Sequence, residues 1–279
     1  MKDYQEKMIR EMRIRNFAEG TQKVYLHVVE RAVEYFGRPP EQITSDELKD
    51  FVLKLQAERG VSNSTAESYL SGLKFLVNVA MKRRHDLLIV EGRKREHKLP
   101  VVLSREELKR VFACSSNLKH RTMFMTAYAT GVRIGELVRL KITDIDSKRM
   151  LIHVRLGKGS KDRYTVLTPE LLRQLRVYYL KYKPSNYLFY GVSRDQPANI
   201  SMPYHGWKRT YARAGLDKKV CFHTLRHCFG THMLEAGVDL RTIQVMMGHS
   251  SLMTTAIYLK ISNTAVATVS SKIDLVKFF

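Results

Sequence analysis

The sequence predicts a mainly α-helical protein of two domains, the second carrying a small antiparallel β-sheet. Three observations predict this. The chain has 279 residues, too many for one ordinary small domain and suited to two of about 100–200 residues each. Helix start and stop signals recur along most of its length. One short stretch in the second half switches to the alternation of strands.

The elements follow in order. From Thr21 to Phe36, Val24, Val28, Ala32 and Phe36 fall at helical spacing, and Gly37, Pro39 and Pro40 end the run. Thr44 and Glu47 form a capping box before Leu48, Phe51, Val52 and Leu55, and Gly60 closes that helix. Ser64 and Glu67 repeat the signature before Tyr69, Leu70, Leu73, Leu76 and Val79. Residues 1–83 therefore read as a helical bundle with short loops. The next stretch, residues 84–103, is poor in periodicity. With Lys82 and Arg83 before it, it carries Arg84, Arg93, Lys94, Arg95 and Lys98 and reads as a basic linker, either a solvated connector or a strap along phosphates.

Residues 104–279 form the second domain. Ser104 and Glu107 make another capping box, with a helix to about Ala113. A second helix runs through Met123 to Thr130, Gly131 interrupts it, and a third begins near Arg133. Met150–Leu156 alternates Ile152, Val154 and Leu156 with polar residues, 157–162 is a turn, and Arg163–Leu167 is the return strand. Thr168-Pro169-Glu170 starts a helix with Thr as N-cap and Pro in the first turn. The remainder is mostly helical.

Composition narrows the class. Hydrophobic residues at 44% are enough for packed cores, and no run of about 18 apolar residues offers a membrane span. The opening residues lack the apolar core of a signal peptide. Cys114, Cys221 and Cys228 are odd in number, show no CxxC spacing and read as free thiols in a reducing compartment. The net charge of +21 is spread over the whole chain and points to a polyanion, of which nucleic acid is the usual one. Charge names a class of partner and no chemistry.

Four clusters could carry chemistry. In Thr130-Gly131-Val132-Arg133 the glycine lets the chain turn and aim Arg133 from a helix start, where backbone N–H groups add to its fork of donors; alone, it also fits a surface arginine. Gly157-Lys158-Gly159-Ser160-Lys161 puts a mobile lysine at a hairpin tip, without the spacing of a phosphate-binding P-loop; alone, it fits a solvated lysine as well as one that reaches a ligand. His223-Thr224-Leu225-Arg226-His227 sets His223 and Arg226 on one helical face. His223 and His227 also stand at i and i+4, a metal-ligand spacing, but HExxH is absent and no cysteine has ligand spacing, so no metal is expected. Asp239 starts a helix that Gly248 ends, His249 follows, and Ser250 or Ser251 caps a helix carrying Tyr258. Alone, His249 fits a turn residue and Tyr258 a packing residue.

Together, Arg133, Lys158, His223, Arg226, His249 and Tyr258 run in the order Arg, Lys, His-x-x-Arg, His, Tyr. With the words ATGVRIGEL, LGKGSKDR, HTLRHCFGTHMLEAG and MGHSSLMTTAIYLK around them, they resemble the tyrosine recombinase (phage integrase) family, most of all its Xer-type and integron-integrase branch. The resemblance covers about Ser104 to Lys260. Residues 1–83 are similar in length and pattern to the family's helical core-binding (SAM-like) domain. The likeness implies an α+β catalytic domain over 104–279 and a site-specific DNA recombinase acting in integration, excision or dimer resolution. Strands would be cut and rejoined through a 3′-phosphotyrosyl bond, without ATP, metal or cofactor.

In that chemistry Tyr258 is the nucleophile, Arg133 and Arg226 clamp the nonbridging phosphate oxygens, and His249 adds a hydrogen bond. Lys158 would be the general acid to the 5′ oxygen, with Lys161 as its rival, and His223 the general base. Glu136 would support the site from behind. A free phenol titrates near ~10, and the cationic pocket is expected to favour phenolate. The implied partners are double-stranded DNA and copies of the chain, two per site and four in synapsis, with a related recombinase as a further possible partner, no membrane, and a cytoplasmic, nucleoid-associated location. A type IB topoisomerase shares the chemistry, and a non-catalytic DNA-binding relative would have lost one of the six positions. The apolar tail, with Val266, Val269, Ile273, Leu275, Val276, Phe278 and Phe279, either packs on its own domain or docks into a neighbouring protomer.

Overall fold

In the computed structural model the described residues are 3–83, 99–155 and 162–261. The chain divides into two compact units, Met1–Glu96 and His97–Phe279. The Lys158 hairpin tip, most of the basic linker and the apolar tail lie outside the described residues.

The first unit is a helical bundle: α1 (Asp3–Ile14), α2 (Glu19–Phe36), a 3-10 turn at Pro40–Gln42, α3 (Ser45–Arg59) and α4 (Asn63–Lys74), which runs on into a π-helical stretch, Phe75–Ala80. Its core holds Met8, Met12, Val28, Val29, Leu48, Val52, Leu73, Leu76 and Val77, all but withdrawn from solvent. The Thr44–Glu47 capping box is formed: Thr44 Oγ1 accepts from Glu47 N, and Glu47 Oε2 accepts from Thr44 N. The predicted box at Ser64 and Glu67 is not. Ser62 is the N-cap of α4, its hydroxyl accepting from Thr65 N. Ser62, Ser64 and Thr65 all have the chemistry of a cap, and the backbone conformation decides: Ser62 is extended, and Ser64 already lies inside the helix.

The second unit opens with α5 (Arg105–Ala113), capped by the predicted Ser104–Glu107 box, and α6 (Leu118–Thr130). Helix α6 is central, with residues from several of its faces buried. Its threonines solve the polar problem this creates: Thr122, Thr126 and Thr130 donate to the carbonyls four residues back, at 2.7–2.8 Å. Phe124 packs edge-on against Trp207 and Phe222. After α7 (Ile134–Arg139) comes a sheet of three antiparallel strands in the order β1 (Ile145–Asp146), β2 (Leu151–Val154), β3 (Arg163–Val166). Two strands are legible from alternation. The third, β1, has two residues and no readable period; it exists because the chain passes beside β2, pairing Ile145 with Ile152.

On β2 the inward residues are the apolar Ile152 and Val154, as their alternation predicts. On β3 they are Arg163 and Thr165, both buried. A buried arginine on an inward strand position demands a partner, and the site supplies it. Among the described residues five helices follow: α8 (Pro169–Tyr182), α9 (Ser201–Ala214), α10 (Thr224–Glu235), α11 (Leu240–Met247) and α12 (Leu252–Ile261). Thr168 caps α8 ahead of Pro169, and Asp239 caps α11 through Thr242 N at 2.9 Å. Among the described residues no helix is long and apolar enough to cross a membrane.

Candidate active site

Five of the six predicted residues come together where α7, α10, α11 and α12 meet β3; Lys158 lies outside the described residues. Arg133 is the N-cap of α7. Its backbone N–H donates to Glu136 Oε2 at 2.8 Å and its Nη1 to Oε1 at 2.9 Å, so the carboxylate closes the start of its own helix. Arg163 reaches the same carboxylate from β3 as a two-pronged fork, Nη1–Oε1 3.0 Å and Nη2–Oε2 2.7 Å. Burial alone would push the Glu136 carboxyl up. The Arg163 fork, the Arg133 N–H and both positive charges outweigh it and hold the group down at about 2.

That shift has a consequence for stability. A carboxyl depressed in the fold from 4.5 to about 2 stabilises the folded state above about pH 4.5, and the contribution is lost as pH falls towards 2. Glu136→Gln is expected to lower stability at pH 7 by about 3–5 kcal/mol, because it leaves buried Arg163 without its counter-charge. It also flattens the acid limb between pH 4.5 and 2. Urea midpoints measured from pH 3 to 7 check this; an unchanged acid limb would remove Glu136 as its cause.

Arg226, in the first turn of α10, is 2% exposed. Its Nη1 donates to Gly131 O and its Nη2 to Met247 O at 2.7 Å. Burial and the Arg133 charge pull its pKa down to about 9, with Glu136 opposing, so it stays cationic at neutral pH. Arg133 Nη2 donates to Gly248 O at 3.2 Å, and Arg163 Nε to Met246 O at 2.9 Å. Three guanidiniums thus rest on three successive carbonyls, Met246, Met247 and Gly248, at the C-terminal end of α11. Helix-end carbonyls lack helical partners and carry the negative pole of the helix, which suits cations. Gly248 makes the convergence possible: its φ of +64° turns the chain, and a Cβ there would sit 2.8 Å from Arg163 Cδ.

His249 follows that turn. Its Nδ1 pairs with Thr255 Oγ1 at 2.9 Å, and its carbonyl accepts from Gln244 Nε2 at 3.1 Å. Burial, then the Arg226 and Arg133 charges, push its pKa down to about 3, so the imidazole is neutral at pH 7. Its ring lies nearly parallel to that of Tyr258, 18° between planes and 6.5 Å between centroids. Tyr258 on α12 is 1% exposed and packs with Phe229, Ile243 and Met247. Its hydroxyl pairs with Nδ1 of His227 at 3.4 Å. The expectation that the cationic pocket favours phenolate is corrected here. Burial outweighs the pull of Arg226 and Arg133 and lifts the phenol to about 12.

His223 is the N-cap of α10; its side chain keeps contact with solvent, yet partial desolvation of the ring, followed by the Arg226 and Arg133 charges, lowers its pKa. Its ring meets His227 edge-on, 4.8 Å between centroids. The pairing at i and i+4 therefore brings two rings into contact. Among the described residues no group of three or more His, Cys, Asp or Glu is placed to hold a metal ion.

Residues outside the predicted set complete the cluster. Arg163 was legible only as a strand residue, although a charge at an inward parity is itself a signal. His227 was visible as a possible metal ligand and emerges as the partner of the Tyr258 hydroxyl. Gly230, one turn along α10, seats the Tyr258 ring: a Cβ there would lie 2.5 Å from Cε2.

A two-domain helical chain whose clustered arginines and histidines surround a buried tyrosine has the fold of a tyrosine recombinase. The chain belongs to the phage integrase family, the site-specific tyrosine recombinases: the phage integrase family profile matches residues 101–264, and the phage integrase N-terminal SAM-like domain matches 5–86. A putative integrase/recombinase of Sinorhizobium fredii, y4qK, is 36% identical over 276 residues, 99% of this chain and 90% of that one. Tyrosine recombinase XerA of Pyrococcus horikoshii is 36% identical over 184 residues, 64% of this chain and 63% of that one. Among solved structures, a XerA recombinase covers 97% of both chains with 28% identity and a TM-score of 0.55. XerH bound to palindromic difH substrate in a post-cleavage complex shares the fold, with a TM-score of 0.73 at 22% identity over 92% of this chain and 81% of that one.

Proposed function

We propose that this recombinase cuts and rejoins double-stranded DNA through a 3′-phosphotyrosyl bond to Tyr258, with Arg133, Lys158, His223, Arg226 and His249 as its catalytic partners and no metal or cofactor. The observation that carries the reading is the meeting of Arg133 and Arg226 on adjacent carbonyls, Gly248 and Met247, beside His249 and Tyr258. Among the described residues the cluster sets three guanidiniums around the Glu136 carboxylate, a surplus of positive charge suited to a phosphate. Solved proteins of this fold have been captured on DNA, XerH on difH substrate among them.

Bond by bond, Tyr258 Oη attacks phosphorus and loses its proton, with His223 as the acceptor. The P–O5′ bond breaks and the 5′ oxygen takes a proton from Lys158. Arg133 and Arg226 hold the nonbridging oxygens, where charge builds. Neutral His249 donates a hydrogen bond to the same phosphate through Nε2, its Nδ1 being occupied by Thr255. With its phenol at about 12, Tyr258 presents only about one phenolate in 10⁵ at pH 7. Its hydroxyl is also closed off from solvent, so DNA binding has to move α12 and bring the hydroxyl to the phosphate. Two protomers occupy one site and four form the synapse, with DNA gripped by both domains.

The test is to mix the protein with fragmented genomic DNA of its source, quench with denaturant, sequence the attached fragments and map the modified peptide. A defined set of sites joined to Tyr258 is expected; attachment elsewhere or none overturns the reading. On a recovered site, Lys158→Ala is expected to lose cleavage and to regain it when the leaving 5′ oxygen is replaced by sulfur, which departs without a proton. Rescue of Lys161→Ala instead would move the general acid within the hairpin.

A further inference from the structure

We propose that His227 is a positioning residue for the nucleophile: its Nδ1 accepts the Tyr258 hydroxyl hydrogen and sets where the phenol oxygen points before DNA is engaged. The inference rests on the reading of Tyr258 as nucleophile. Three features of α10 carry it. Gly230 leaves room for the Tyr258 ring, whose atoms a Cβ would meet at 2.5–2.9 Å. His227, three residues earlier and on the same face, stands 3.4 Å from the hydroxyl. His223, a further turn back, meets the His227 ring edge-on at 86°. One helix thus seats the ring, holds its oxygen and packs against the imidazole that holds it.

The surroundings leave the hydroxyl few alternatives. The ring packs among Phe229, Ile243 and Met247, whose side chains offer no acceptor stronger than the weakly accepting thioether sulfur of Met247. Arg226, whose Nη atoms donate to Gly131 O and Met247 O, has donors only and cannot accept the hydroxyl hydrogen. His249 Nδ1 is taken by Thr255. A phenol hydroxyl this buried is costly without an acceptor, so removing His227 makes the ring shift or its oxygen turn.

Magnitudes separate this role from that of a general base. Burial, His223 and Arg226 hold His227 down at about 4, and burial lifts Tyr258 to about 12. Direct proton transfer between them is uphill by about eight powers of ten. A neutral imidazole with a free lone pair on Nδ1 is, by contrast, a suitable acceptor for a hydrogen bond that leaves the proton on oxygen.

The test uses the full chain with 3-fluorotyrosine at position 258 only, free of DNA, read by fluorine NMR. Alongside, adduct formation and affinity are measured on a duplex carrying the recovered site. His227→Asn puts an amide oxygen near the place of Nδ1, whereas His227→Gln reaches the place of Nε2 and His227→Leu has no acceptor. The fluorine resonance is expected to stay in place in His227→Asn and to move in the other two. Adduct formation should slow by about tenfold or more in His227→Gln and His227→Leu at unchanged DNA affinity, and His227→Asn should recover it to within about threefold. Should His227→Leu fail to fold, the contrast between Asn and Gln decides. Equal spectra and rates in Asn and Gln overturn the proposal. If the unchanged chain forms no adduct at Tyr258, the nucleophile reading itself falls, an outcome distinct from an adduct that ignores the identity of residue 227.

Discussion

Tyr258→Phe is expected to abolish covalent attachment to DNA while leaving the fold and DNA affinity nearly intact. The ring accounts for most of the packing: it is buried against Phe229, Ile243 and Met247 and seated over Gly230, and phenylalanine keeps all of these contacts. What is lost is one oxygen and its 3.4 Å hydrogen bond to His227, a cost of about 0.5–1.5 kcal/mol in stability. The chemical cost is of another order. Removing the proposed nucleophile from a concerted catalytic group is expected to lower rate by about 10⁶, which would take cleavage below detection. Denaturing gels on labelled site DNA, with a binding titration in parallel, measure both. A denaturant-stable adduct in Tyr258→Phe would place the nucleophile on another residue.

Arg226→Lys is the second large effect, and it separates chemistry from folding. Lysine retains a positive charge near Met247 O but cannot reproduce the planar fork that spans Gly131 O and Met247 O and is proposed to hold a phosphate as well. Cleavage is expected to fall by about 10²–10³, the size seen when one pre-organised electrostatic donor is removed. DNA affinity should change by no more than about threefold, since many phosphate contacts share that term. Arg226→Ala should lose at least as much rate and destabilise the domain besides. It strips two buried carbonyls of their donor, at about 1–3 kcal/mol each. Cleavage by Arg226→Lys at the unchanged rate would show that the guanidinium geometry is not used.

The helices were legible because their ends are written locally. Thr44 with Glu47, Ser104 with Glu107, Thr168 before Pro169 and Asp239 before Thr242 each satisfy free N–H groups within one turn, and all four act as caps in the structure. Ser64 shows the limit of that logic. Several residues near it could cap, and the backbone between Gly60 and Ser62 settles the choice. The β1 strand was not legible, because two residues carry no period.

The site divides in the same way. Sequence alone pointed to the class of chemistry: Arg133, Lys158, His223, Arg226, His249 and Tyr258, each within its own local word, supply cations, imidazoles and a phenol in a fixed order, the set proposed to act on a phosphate. Only the tertiary structure decided how these groups are held. Glu136 and Arg163 are 27 residues apart and form one buried fork; Arg226 reaches Gly131 across 95 residues; Tyr258 meets His227 across 31. Spacing along the chain does not encode such contacts, because they depend on which helix ends and strand faces packing brings together. The protonation states are likewise tertiary. Sequence suggested a phenol eased towards phenolate by its cations. Packing buried it, and the loss of water outweighs those charges.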